Sequence, residues 1–74
     1  MTGDTPVTLS IEFDRETDGR WIAEIPDLPG VMAYGKTQEE ATTRVKAIAL
    51  RVLADRLDHA ELGAEFITLT FRAA

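Results

Sequence analysis

The sequence predicts an α+β domain of order β-β-β-α-β: a mixed four-stranded sheet with one helix packed on one face. Three observations lead there. Apolar residues alternate with polar ones at Val7, Leu9, Ile11 and Phe13, and again at Ile67, Leu69 and Phe71, which is the period of two of half-buried strands. Between these runs, from Ala41 to Leu57, apolar residues recur at helical spacing. Two turn signals, Asp18-Gly19 and Pro29-Gly30, divide the region before the helix into three short strands.

The first strand covers Val7 to Phe13, with Thr8, Ser10 and Glu12 on its wet face. Asp14 to Gly19 is a polar hairpin connection, closing on an Asp-Gly pair that tolerates positive φ. The second strand, Arg20 to Ile25, places Trp21, Ala23 and Ile25 on the core side and Ile22 and Glu24 on the other, so that Ile22 is an apolar residue facing away from the core. Pro26-Asp27-Leu28-Pro29-Gly30 denies two ladder donors and suits a type II turn at Pro29-Gly30. Val31 to Tyr34 forms a third strand, stopped by Gly35 and Lys36.

Thr37-Gln38-Glu39-Glu40 is a capping box, in which the Thr37 hydroxyl accepts from the Glu40 amide and the Glu40 carboxylate from the Thr37 amide. The helix starts near Gln38 and runs about five turns. Its buried stripe is Ala41, Val45, Ile48 and Val52, flanked by Ala49, Leu53 and Leu57, while Arg44, Lys46, Arg51 and Asp55 mark the wetter sides. Asp58 to Gly63 is a polar exit with Gly63 available as a left-handed cap, and Phe66 to Phe71 is the fourth strand. A right-handed crossover puts this strand beside the first, giving sheet order 3-2-1-4. One helix covers one face. The other carries Thr8, Ser10, Glu12, Glu24, Thr68 and Thr70, interrupted by Ile22, Phe66 and either Tyr34 or Met32, and is the expected contact surface.

At 74 residues the chain builds one domain, residues 1–74 with a core from about 7 to 71. It has no cysteine to staple that core, and small unstapled chains often gain stability by self-association, so a homodimer or higher oligomer is expected. No secretory signal and no run approaching about 18 apolar residues is present, which makes the cytoplasm the expected location and a membrane an unexpected partner. The net charge of −5 is uneven. Up to Glu40 there are nine acidic and three basic residues; after it there are four acidic and five basic. Such a field repels phosphate backbones and draws a basic partner to the first half.

No residue pattern supports catalysis. Asp14-x-Glu16-x-Asp18-Gly19 resembles the start of a calcium loop, but the twelfth position is Ile25 instead of a glutamate, and strands flank it, so a solvated turn is expected. His59 is the sole histidine and lies where it complements a helix C-terminus. Glu39 and Glu40 occupy a helix first turn, where negative charge is favoured for structural reasons. No catalytic residue, metal ligand or cofactor site is assigned.

The run Asp18-Gly19-Arg20-Trp21-Ile22-Ala23-Glu24-Ile25-Pro26-Asp27-Leu28-Pro29-Gly30, followed by Gly35-Lys36-Thr37-Gln38-Glu39-Glu40-Ala41, resembles the HicB family of antitoxins. The likeness extends from about Val7 to Phe71. It implies a truncated RNase H-like fold lacking the nuclease carboxylates, and a protein that masks a small basic HicA-type mRNA interferase. Val31, Ala33 and Lys36 stand where the family often has cysteine, serine and aspartate. The resemblance is to a short form without a C-terminal DNA-binding module, so no direct nucleic-acid binding by this chain alone is expected. Glu12, Ile22, Glu24 and Asp27 are the candidate partner-binding residues. The alternative is a stand-alone homo-oligomeric scaffold or ligand-binding domain without a toxin.

Overall fold

A computed structural model describes residues 5–59 and 66–74. Its elements are β1 (Thr5–Arg15), β2 (Trp21–Glu24), β3 (Met32–Gly35), α1 (Gln38–Asp58) and β4 (Phe66–Ala73). They form the expected mixed sheet, in the order β3-β2-β1-β4. β1 and β2 are antiparallel with Glu12 opposite Glu24, and β2 and β3 are antiparallel with Ile22 opposite Tyr34. β1 and β4 are parallel, with Val7 beside Leu69 and Leu9 beside Phe71.

The hairpin between β1 and β2 is a three-residue loop. Glu16 N–H donates to the Arg20 carbonyl at 2.8 Å, Gly19 N–H to the Glu16 carbonyl at 2.9 Å, and Gly19 takes φ +93°. The connection from β2 to β3 is two consecutive β-turns, closed by Leu28 N–H to the Ile25 carbonyl (2.9 Å) and Val31 N–H to the Leu28 carbonyl (3.0 Å). Gly30 at φ +84°, following Pro29, makes the second turn type II. Leu28, at the shared corner, is buried, which anchors a proline-rich loop to the core.

β3 is displaced by one residue from its expected span. Val31 serves the turn, and Gly35 does not stop the strand but ends it inside the core. The reason is the helix: a Cβ on Gly35 would overlap the backbone nitrogen of Ala41 and sit 3.0 Å from its Cα. Thr37 caps α1 as expected, accepting from the Glu40 N–H at 3.0 Å. The return bond differs. Thr37 is extended (φ −127°, ψ 162°), and the Glu40 carboxylate accepts from the Lys36 N–H at 2.6 Å instead of from the amide of Thr37.

Ala41, Val45, Ala49 and Leu53 form the buried line of α1, with Ile48 and Val52 half-buried beside it. Ala41 and Val45 are thus central as expected, while Ala49 and Leu53 take the place of Ile48 and Val52, because two alanines on the i+4 line let the helix approach β2 and β3 closely. Leu57, expected to flank the core, is exposed. Twenty-one helical residues span about 31 Å, whereas the four-residue strands β2 and β3 span about 13 Å, so the last turns overhang them. Against the helix pack Leu9, Ile11, Ala23, Ile25, Val31 and Ala33, all buried, with Val7, Phe13, Trp21, Leu69 and Phe71 around them. His59 ends the helix: its backbone N–H donates to the Asp55 carbonyl at 3.1 Å and its Nδ1 lies 2.8 Å from the same oxygen. The expected cap at Gly63 and the side chains of Phe66 and Ile67 lie outside the described residues. No helix among the described residues is long and apolar enough to cross a membrane.

Candidate functional site

The face of the sheet opposite α1 holds the candidate residues. Strand alternation sends Glu12, Asp14, Ile22, Glu24, Met32 and Tyr34 to this side. Register arranges them in two rows across three strands, Glu12–Glu24–Met32 and Asp14–Ile22–Tyr34. The sequence left Met32 and Tyr34 as alternatives, but two residues apart on one strand they share a face. Both lie here, 42% and 40% exposed, while Val31 and Ala33 turn inward. Ile22 is half-buried between Asp14 and Tyr34.

Glu12 and Glu24 are directly opposite and both exposed. Like charges so placed destabilise a sheet, and neither glutamate has an ion-pair partner among the described residues. Arg20 binds the Asp18 carboxylate at 2.8 Å and lies over the Tyr34 ring at 4.6 Å, which fixes one edge of the patch. The Arg20 backbone N–H, donated to Asp18 at 3.0 Å, does most to hold the Asp18 carboxyl below its ordinary value; desolvation opposes it, and the Arg20 guanidinium adds to the lowering.

Asp27 has a different role from the other three candidates. The even-numbered residues of β1 direct their backbone groups to β2, and in this register Ser10 would meet Pro26, which has left the strand for the turn closed by the Leu28 N–H and the Ile25 carbonyl. The Asp27 carboxylate instead accepts from the Ser10 N–H at 3.1 Å, extending the ladder by one bond. Glu12, Ile22 and Glu24 are therefore gathered on one surface, and Asp27 braces its end.

No known family, curated protein or solved structure matches this chain. The carboxylates of the acidic hairpin are used locally: Asp14 accepts from Arg15 N–H at 2.8 Å and Asp18 from Arg20. Among the described residues no group of three or more His, Cys, Asp or Glu side chains is placed to hold a metal ion. What remains chemically distinctive is a surface of unpaired acids beside exposed apolar and aromatic groups. Such a surface fits a protein partner that brings cations and an apolar side chain.

Proposed function

We propose that this chain is a HicB-like antitoxin domain of the cytoplasm, acting by binding and not by catalysis, whose open sheet face covers a small basic HicA-type toxin. The observation that carries the reading is the Glu12–Glu24 pair, uncompensated and adjoining Ile22, Met32 and Tyr34. A repulsive pair on a free surface is relieved when a partner's arginine or lysine sits between the two carboxylates, and that gain is available only in the complex. The apolar neighbours supply the desolvated centre that a charged rim alone lacks.

Co-expression with the basic product of an adjacent small gene, followed by affinity capture of this chain, tests the reading. The expected result is a stoichiometric complex whose affinity falls steeply with salt. Glu12→Lys with Glu24→Lys should abolish it while thermal melting stays cooperative. A complex that tolerates this double reversal, or no capture of the neighbouring product, refutes the proposal.

A further inference from the structure

The two outer edges of the sheet are built differently. β3 is four residues long and side chains of α1 occupy its border: Arg44 donates to the Tyr34 carbonyl at 2.9 Å, and Glu40 accepts from the Lys36 N–H at 2.6 Å. Charged side chains and a covering helix are common ways of blunting a free edge. β4 is eight residues long and has no proline, no acid and one cation, Arg72. Ala74 N–H donates to the Ile11 carbonyl at 2.8 Å. In a parallel ladder alternate residues face the same neighbour, so Thr68, Thr70 and Arg72 direct their backbone groups to β1, and Leu69, Phe71 and Ala73 direct theirs outward. Among the described residues nothing pairs with them.

We propose that two copies of the chain join β4 to β4, antiparallel about a two-fold axis at Thr70, into one continuous eight-stranded sheet. The sequence of β4 selects a second copy as the occupant. With Thr70 opposite its own symmetry mate, Leu69 lies opposite Phe71 and Thr68 opposite Arg72. Hydroxyl meets hydroxyl, apolar meets apolar, and no like charges face each other, the pairings that favour an antiparallel ladder. Leu69 and Phe71 are only half-buried, because α1 packs chiefly over β2 and β3, and an open groove lined by Ile11, Phe13, Thr42, Lys46 and Phe71 separates it from the ends of β1 and β4. A neighbouring β4 would cover these side chains. Charge points the same way: two copies at −5 repel, and the acid-free β4 edge is where that repulsion is weakest and where a basic polypeptide finds nothing to hold. This contact uses the edge opposite to β3 and leaves the acidic face free.

Sedimentation velocity over a concentration series, with hydrogen exchange read per residue, tests the contact. The Leu69 and Phe71 amides should slow with concentration while those of Thr68 and Thr70, already bonded to β1, do not change. Thr70 is exposed, so Thr70→Glu and Thr70→Lys should each fold normally and weaken dimerisation about five- to tenfold by setting like charges face to face. An equimolar mixture of the two variants should dimerise more tightly than either alone. A wild-type chain that stays monomeric, a dimer indifferent to both substitutions, or a mixture no tighter than its components overturns the proposal.

Discussion

Replacing Gly35 with alanine tests how closely the helix sits on the sheet. Gly35 is the last residue of β3 and is buried; the added methyl would overlap the Ala41 backbone nitrogen and lie 3.0 Å from both the Ala41 Cα and the Glu40 carbonyl carbon. Carbon atoms prefer separations of about 3.5–4.0 Å. The obstacle is the first turn of a capped helix, which has no rotamer to change, so α1 must retreat by roughly 0.5–1 Å. A gap of that size forfeits about a quarter to a half of the dispersion energy along the line it opens, here the start of the buried line of α1 at Ala41 and Val45. Overpacking of this kind costs typically 1–3 kcal/mol, and about 2 kcal/mol would lower Tm by roughly 8–16 °C in a domain of this size. Thermal melting by circular dichroism reads it, with Gly19→Ala and Gly30→Ala as comparisons. At those two sites nothing lies within 4 Å of a new Cβ, and the cost of about 1–2 kcal/mol comes from left-handed backbone alone. A Gly35→Ala protein melting within about 3 °C of wild type would show that the helix does not rest on Gly35, and the reasoning would fail.

Three further outcomes are expected. Thr37→Ala should cost about 1 kcal/mol in urea denaturation by leaving the Glu40 amide without its acceptor, and a loss below roughly 0.3 kcal/mol would remove Thr37 from the cap. Asp27→Ala should destabilise by about 1 kcal/mol and accelerate exchange of the Ser10 amide, whereas Asp27→Asn, which keeps a carbonyl oxygen, should do neither to the same degree. In an NMR titration the Asp18 carboxyl should titrate below an ordinary aspartate, and Arg20→Ala should raise it only partway because the backbone bond survives. Since the folded value is the lower one, this group favours folding above its unfolded pKa, and the contribution disappears as pH falls through the folded value.

Strand and helix periods, turn residues and the capping threonine made the topology legible, because each is a local rule that the tertiary structure obeys. The hairpin at Gly19 and the turn at Gly30 fall where the sequence places them, and Ile22 does face away from the helix. What failed were features decided by contact. The third strand runs one residue later than the apolar run Val31 to Tyr34 because the turn consumes Val31. Beyond Ala41 and Val45, which fall on the expected line, the shift from Ile48 and Val52 to Ala49 and Leu53 reflects how near a small side chain lets two backbones come, which a hydrophobic pattern does not encode. In the candidate site, the grouping of Glu12, Ile22 and Glu24 follows from strand alternation and hairpin register. The bracing role of Asp27 does not, because it depends on how the turn after Ile25 carries the Asp27 carboxylate to the Ser10 N–H.

The parallel pairing of β1 with β4 bears on how the chain reaches its native state. Leu9 and Phe71 are about sixty residues apart in sequence, whereas β1, β2, β3 and α1 meet through short connections. Closing the long loop costs most entropy and returns it last. Folding should therefore begin in the β1–α1 segment, with β4 adding late. Until it does, the β4-facing border of β1 is an open template at the middle of the future sheet, so a chain emerging during synthesis passes through an interval of exposed strand edge that lasts until the residues of β4 arrive.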